Sequence, residues 1–158
     1  MNTASTSFTF SSPDAGATFQ CRVDGGAFTA CTSPANLGSL PDGQHTFDVR
    51  AVDAAGNLDA SPASRTWTID TAAPQTTIDS GPAETVSSPD AAFTFSSTEA
   101  GSTFQCRLDG APFTACTSPA TYAGLPPGAH TFDVQATDAI GNVDPTPATQ
   151  TWTITPQP

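Results

Sequence analysis

Three kinds of residue in this chain are spaced so that they could carry chemistry, and each occurs twice. Cys21 and Cys31 have nine residues between them, and so do Cys106 and Cys116. His45 and His130 are the sole histidines. Two loops gather side-chain oxygens within seven residues: Asp53-Ala-Ala-Gly56-Asn57-Leu-Asp59 and Asp138-Ala-Ile-Gly141-Asn142-Val-Asp144. Thiols can bind metal, turn over as a redox pair or close a structural disulfide. Zinc sites favour about two to four residues between paired cysteines and need four ligands, and a redox pair wants a Cys-x-x-Cys geometry. Neither spacing occurs here. One pair per segment, with an Asp-Gly turn inside the loop, fits a structural disulfide, Cys21 to Cys31 and Cys106 to Cys116. Cys21 shares phase with Phe19 and Val23 and should face a core. A two-residue turn at Asp24-Gly25 would set Cys21 opposite Phe28, so Cys31 has to curl back toward it near Ser33-Pro34.

The acidic loops offer hard oxygen donors, and calcium is the ion such donors would hold. It takes about six to eight oxygens. Asp53, Asn57 and Asp59, or Asp138, Asn142 and Asp144, fall short alone; Asp70 or Glu99 could add to a site at the joint between the two halves. The spacing is not that of an EF-hand. The competing role, which the loops fit better, is a turn whose Asp accepts backbone N–H groups while Gly-Asn supplies positive φ. The histidines each begin a strand in phase with Phe47 or Phe132, with no nucleophile or metal partner at a telling spacing, so they read as structural. The carboxylates form no recognisable acid/base pair for glycoside hydrolysis. No catalytic residue is assigned and the chain is not expected to be an enzyme.

Composition narrows the field further. Fifteen Asp and Glu oppose four Arg, with no Lys, giving a formal charge of −11 over 158 residues. Nucleic acid is excluded as a main partner, because phosphate binding draws on Lys and Arg. Without Lys there is no Schiff-base chemistry and no phosphate-binding loop of the P-loop type. No apolar run approaches the roughly 18 residues of a membrane helix, so membrane insertion is not expected. The opening MNTASTSFTF has neither a basic segment nor an apolar stretch and reads as lacking a secretion signal. An exported protein would then contain this chain as a mature or excised piece. Low hydrophobicity with high charge would suit a disordered chain, but ten Phe, two Trp and regular alternation of apolar residues argue for a fold.

These residues sit on a repeat. Shifted by 85 positions, 42 of the 62 residues from Phe8 to Ile69 recur identically and without a gap. A feature present in both copies is most simply part of the construction of the unit. Strands are signalled by period-2 alternation: Phe8/Phe10, Phe19/Cys21/Val23, Phe47/Val49/Ala51 and Trp67/Ile69, with counterparts Phe93/Phe95, Phe104/Cys106/Leu108, Phe132/Val134/Ala136 and Trp152/Ile154. Trp67 and Trp152 fall on the core face and not on a sugar-stacking platform. Asp24-Gly25, Asp109-Gly110, Leu40-Pro41-Asp42-Gly43 and Leu125-Pro126-Pro127-Gly128 supply turns. The pattern predicts all-β architecture: two tandem antiparallel β-sandwiches, residues 1–70 with six strands and 71–158 with seven, joined by a Pro-bearing linker at about 70–75. The first lacks the leading segment that Gln75–Thr85 supplies to the second, so its Phe8–Phe10 edge should be open to pairing and its module less stable. The C-terminal Thr155-Pro-Gln-Pro158 stops where a further linker would begin, as in a longer array.

The run Thr-Phe-Gln-Cys-Arg-x-Asp-Gly-x-x-Phe-Thr-x-Cys, then Leu-Pro-x-Gly-x-His-Thr-Phe-x-Val-x-Ala-x-Asp-x-x-Gly-Asn-x-Asp, then Trp-Thr-Ile, resembles tandem bacterial extracellular immunoglobulin-like, or fibronectin type III-like, repeats. Phe47 and Phe132 stand where such modules often carry a Tyr, so a tyrosine corner is absent. The resemblance implies spacers and adhesive stalks, with neighbouring repeats of the same array as partners. A disulfide in a small sandwich implies an oxidising setting, here a bacterial secreted or cell-surface protein. The leading expectation is a non-catalytic spacer with no cofactor. The alternative is an adhesin-type module that binds a surface glycan or a protein, with calcium assisting; Tyr122, the sole Tyr, is the first aromatic to inspect for it.

Overall fold

The computed structural model describes residues 3–156; Met1, Asn2, Gln157 and Pro158, the ends of the opening segment and of the tail, lie outside them. Its two compact units are Met1–Thr71 and Ala72–Pro158. Unit 1 contains β1 (Thr6–Phe8), β2 (Thr18–Val23), β3 (Thr29–Cys31), β4 (Ala35–Leu37), β5 (Gly43–Val52) and β6 (Ala63–Ile69). The order β3-β2-β5-β6 makes one antiparallel sheet and β1-β4 a second. Unit 2 contains β7 (Thr76–Ser80), β8 (Thr85–Val86), β9 (Ala91–Ser97), β10 (Thr103–Leu108), β11 (Thr114–Cys116), β12 (Ala120–Tyr122), β13 (Gly128–Thr137) and β14 (Ala148–Ile154). Its sheets are β11-β10-β13-β14-β8 and β12-β9-β7. Among the described residues there is no helix.

The sequence pattern predicts seven strands for residues 71–158, and eight are present. The additional one, β8, has only two residues and runs parallel to β14, pairing Thr85 with Thr153 and Val86 with Ile154. So short a strand leaves no period to detect. A second difference lies in the hairpins. Asp24 and Gly25 both have positive φ, 51° and 71°, and Gly26 N–H bonds Val23 C=O at 3.0 Å, as a two-residue primed turn requires. That turn alone would set Cys21 opposite Phe28. The ladder instead pairs Cys21 with Thr29 and Phe19 with Cys31. One extra residue is taken up between Gly26 and Phe28, and Cys31 therefore reaches Cys21 along the diagonal of the hairpin. Cys106 pairs with Thr114 and Phe104 with Cys116 in the same way.

Alternation places the core between the two sheets of each unit. In unit 1 Cys21, Phe47, Val49, Trp67 and Ile69 are buried, and Phe8, Phe10 and Phe19 pack on them. Phe8 stacks on Phe47 at 4.6 Å between centroids and meets Trp67 at 5.0 Å. In unit 2 Phe93 stacks on Phe132 at 4.0 Å and meets Trp152 edge-on at 5.2 Å. The chain crosses from the larger to the smaller sheet at Ser33-Pro34 and Ser118-Pro119, both cis. The serine hydroxyls there accept the Phe10 and Phe95 N–H groups at 2.9 and 3.0 Å.

Identical residues are not equally covered. Phe93 is fully buried while Phe8 is only half-buried, and Phe95 is buried while Phe10 is not. Strand β1 stops at Phe8, so Phe10 lies outside it; the matching β9 runs on to Ser97 because β7 pairs with its second half. A strand persists only where backbone groups find a ladder partner. Phe93→Ala is expected to lower the stability of unit 2 by about 3–5 kcal/mol, and Phe8→Ala that of unit 1 by roughly half as much. Each unit carries one Trp, so urea unfolding followed by fluorescence in Trp67→Phe and Trp152→Phe backgrounds reads the two separately. Unit 1 should unfold first, and coincident transitions would contradict this account.

Candidate functional site

The best-defined polar constellation is built from an Asp-Gly turn, a Leu-Pro turn and the first residues of β5 or β13. In unit 1 the His45 ring is buried, 6% exposed. Its Nδ1 lies 2.8 Å from Asp24 Oδ2 and its Nε2 lies 2.8 Å from the Pro41 carbonyl oxygen. Asp24 Oδ1 also accepts the Thr46 N–H at 2.8 Å. Unit 2 repeats this with His130, Asp109, Pro126 and Thr131 at 2.8–2.9 Å. A carbonyl and a carboxylate can only accept, so both ring nitrogens donate and the imidazolium is the form this pocket favours. The Pro41 carbonyl, and then the Asp24 carboxylate, hold the His45 pKa above its ordinary value; Pro126 and Asp109 do the same for His130. His45 and the Thr46 N–H hold Asp24 below the usual carboxylate range. Burial pushes Asp109 up, but His130 and Thr131 outweigh it and the net direction is down.

A histidine oriented by a carboxylate is half of a catalytic triad. The other half requires the far nitrogen to face a nucleophile. Here that nitrogen is spent on a backbone carbonyl in both units, and the ring packs on Trp67 or Trp152. The arrangement ties a hairpin turn to the turn ahead of the longest strand. Sequence reasoning placed the histidines as structural but did not find their partners. The available signal was an Asp in the Asp-Gly turn, 21 residues before the His in each copy.

The acidic loops are likewise self-satisfied. Asp53 Oδ1 accepts the Ala55 and Asn57 N–H groups at 2.9 and 2.8 Å, and Oδ2 accepts the Asn57 side-chain amide at 2.7 Å. Asp138 Oδ1 accepts three backbone N–H groups, from Ile140, Gly141 and Asn142, and Oδ2 the Asn142 amide. Positive φ is supplied by Gly56 and Gly141, at 89° and 104°, and not by the asparagines. Asp59 Oδ1 takes the Ser61 N–H and hydroxyl. Asp144, 1% exposed, takes the Thr146 N–H and hydroxyl on Oδ1 and the Thr76 N–H on Oδ2. The Asn57 side chain, then its N–H, lower the Asp53 pKa. Burial raises that of Asp138, and its four donors more than offset it. Within unit 2, carboxyl oxygens of Glu99 and Asp138 come within 4.8 Å of each other, too few oxygens to make a calcium site by themselves.

The cysteines form two bonds, Cys21–Cys31 and Cys106–Cys116, each with Cα atoms 5.8 Å apart. Trp67 and Trp152 are buried, and their indole N–H groups have no hydrogen-bond partner. Tyr122 is half-buried, its ring edge-on to Phe93 and Phe132 at 6.3 and 5.9 Å, and burial raises its pKa. It is part of a core wall and not a platform. Sequence reasoning missed a further feature: three of the four Arg stand over hairpin rings. Arg22 and Arg50 lie 4.5 and 4.0 Å from the Phe28 centroid, and Arg107 lies 4.5 Å from that of Phe113. Arg22 and Arg107 are fixed there by Asp48 and Asp133 at 2.7 and 2.6 Å.

The His–Asp pairs predict a stability optimum. A histidine whose pKa is raised on folding contributes fully below its unfolded value, about 6.5, and loses that contribution as pH rises through the folded value. Asp24 and Asp109, lowered on folding, contribute above about 3.9 and lose it as pH falls further. The melting temperature should therefore be highest between about pH 4 and 6.5 and fall by a few degrees toward pH 9. His45→Gln with His130→Gln should flatten the alkaline limb and also weaken the acid one, since the histidines help to hold Asp24 and Asp109 low. Histidine titration by NMR with midpoints at or below about 6.5 would contradict the assignment.

No family model matches this sequence, and no curated protein does. Among solved structures, the fibronectin(III)-like modules of Clostridium thermocellum CbhA superpose with a TM-score of 0.55 at 17% identity, covering 96% of this chain and 84% of theirs. The FN1–FN3 domains of chicken CNTN1 give 0.47 at 13% identity, covering 97% and 60%. A 1.5-MDa bacterial ice-binding adhesin gives 0.48 at 14%, covering 98% and 58%. The last two scores lie too low to carry weight. The first, taken with two sheets, antiparallel but for β8, facing each other across an aromatic core in each unit, establishes that this chain has the all-β sandwich fold of fibronectin III-like modules.

Proposed function

We propose that the chain is a non-catalytic spacer of a bacterial secreted or cell-surface protein, two disulfide-pinned tandem sandwiches that hold apart whatever lies at their ends. One observation carries this reading. The groups with the most chemical potential, His45 and Asp24, Asp53 and Asn57, recur as His130 and Asp109, Asp138 and Asn142, and in both units they are bonded to their own chain. A duplicated, inward-turned polar group serves construction. The two disulfides support an oxidising compartment, because such bonds are kept reduced in the cytosol. Each closes a loop with a sequence separation of 10, worth about 3 kcal/mol by loop-closure entropy. That is a large share for a module of this size, whose whole stability is of order 5–15 kcal/mol.

Force spectroscopy on the full chain tests the mechanical role. Oxidised, each unit should unfold with its disulfide hairpin withheld. Reduction should lengthen each step by about 3 nm, the extended reach of the enclosed residues less the Cα separation. Unchanged steps would show that the bonds bear no load. A glycan and matrix-protein binding screen, with and without millimolar calcium, separates a spacer from an adhesin-type module. The spacer predicts no saturable binding and no calcium-dependent rise in either melting transition; a calcium-dependent ligand would replace it with the adhesive reading.

A further inference from the structure

A feature held by only one of two near-identical units is not needed to build either. Unit 1 has an open cleft of about 520 Å³ whose walls come from β2, the hairpin after it, β3, β4 and Phe47 of β5. It is bordered by two edge strands, β3 of the larger sheet and β4 of the smaller. The strands that only unit 2 has, β7 and β8, lie at the opposite edges, beside β9 and β14. No lining residue precedes Cys21. The cleft is therefore formed wholly by elements that both units possess. Its apolar walls are Val23, Leu37, Phe47 and the Cys21–Cys31 disulfide.

Most of this lining recurs unchanged in unit 2, the disulfide and Phe47 included. Four positions differ in size, and all in one direction: Val23, Gly26, Ala27 and Leu37 are replaced by the larger Leu108, Ala111, Pro112 and Tyr122. The Tyr122 ring packs edge-on to Phe132 at 5.9 Å. Phe132 is 0% exposed where Phe47 is 3%, and Cys106 is 2% exposed where Cys21 is 7%. Unit 2 thus brings its own ring to a place where unit 1 has Leu37 and open space. Leu37 already holds its position in β4, so a ring that enters beside it has to arrive without a backbone of its own. We propose that this cleft is a binding site for a small neutral phenol of the size of a Tyr side chain, seated against Phe47, Leu37 and the disulfide. The volume is in the range of small-molecule sites, and space walled by leucine and phenylalanine takes up small aromatic molecules. Edge-on packing on Phe47 and contact with polarisable sulfur favour a ring over an aliphatic chain. Asn36 and Thr29, also in the lining, have the groups to bond the hydroxyl. Charge is selected against: the net −11 of the chain repels an anion, and Arg22 in the lining repels a cation. The site goes beyond the spacer reading, which needs no ligand, and either can fail alone.

The test is a titration of the full chain, 15N-labelled, with p-cresol, which is the Tyr side chain as a free molecule. Saturable shifts are expected at the Val23, Thr29, Leu37 and Phe47 amides, with a dissociation constant of roughly 0.1–3 mM, the range open to a ligand of so few atoms. Leu108, Thr114, Tyr122 and Phe132, in the same tube, should stay unshifted. Leu37→Tyr copies unit 2 and should weaken binding at least about tenfold, because the ring's place is then taken. If that variant does not fold, Ala27→Pro, a second copy of unit 2 at an exposed position, should weaken binding several-fold. p-Toluenesulfonate, a ring of similar size with a negative charge, should bind at least about tenfold more weakly, which needs no change to the protein. The proposal is overturned if no amide of unit 1 shifts at about 20 mM p-cresol, if both units shift alike, or if Leu37→Tyr binds as well as the original chain. It is also overturned if N-acetyltyrosine amide saturates the cleft and p-cresol does not, since the occupant would then be a side chain presented by a partner.

Discussion

The contact on which each unit depends is a single phenyl ring reaching across the sandwich: Phe8 onto Phe47 and Trp67, Phe93 onto Phe132 and Trp152. The smaller sheets are weak by themselves. Strands β1 and β4 share three register pairs, and a two-stranded ribbon of that length is not stable alone in water. What fixes it is the ring it buries against the larger sheet, worth about 1.5–3 kcal/mol in area and a further 0.5–1.5 for each aromatic pairing. The same contact explains a tolerated defect. Both indole N–H groups are buried without an acceptor, a cost of about 1–3 kcal/mol. The indole ring fills the floor under Phe8 or Phe93, and the area it buries offsets that loss. The Cys21–Cys31 and Cys106–Cys116 bonds act at the other end of the balance, since they restrict the unfolded chain and leave native packing unchanged.

Charge is handled locally. Asp48, Asp133, Asp138 and Asp144 are all buried in a chain of net charge −11. Burying an unpaired carboxylate is prohibitive, and each of these has donors. Asp48 faces Arg22, Asp133 faces Arg107 and the Thr149 hydroxyl, Asp138 faces amides of its own loop, and Asp144 faces the Thr146 N–H and hydroxyl together with the Thr76 N–H. With four Arg and no Lys, cations can neutralise only a minority of the acids. Backbone N–H groups do most of that work, which accounts for carboxylates held at turns where several amides converge. The remaining exposed carboxylates give a surface that repels like molecules.

Much of the fold is written at period two, because a sandwich strand shows one face to the core and one to water. Phe19-Cys21-Val23, Phe47-Val49 and Trp67-Ile69 therefore announce their own strands, and the 85-residue shift announces the duplication. The disulfide partners follow from spacing, with nine residues and a turn between them. Other features need information that local pattern does not hold. Strand β8 is too short to have a period. The diagonal seat of the disulfide depends on one residue absorbed after the turn, which only the ladder reveals. His45 is visibly inward, but its bonds to Asp24 and Pro41 join residues whose proximity depends on the sheet. Phe28 and Phe113 lie just ahead of β3 and β11, and their arginine lids come from β2 and β5 in unit 1 and from β10 in unit 2.

The 42 identities between copies separate what the shared residues determine from what context determines. They suffice for the strand order β3-β2-β5-β6 and for β11-β10-β13-β14, for both disulfides, for the His–Asp clamps and for the acidic-loop caps. They do not suffice for the length of the Phe-Thr-Phe strand: Thr9-Phe10-Ser11-Ser12 and Thr94-Phe95-Ser96-Ser97 are identical, yet only the second continues as strand. The same four residues thus take two states according to whether a neighbour supplies ladder partners and covers Phe10. These four residues are equal in local propensity, so what divides them lies outside them: a covering segment that supplies ladder partners in unit 2, and Pro13, without an N–H, where unit 2 has Thr98. In this chain a strand edge is decided by pairing and burial, and the module is complete only where something lies across Phe10, Val49 and Trp67.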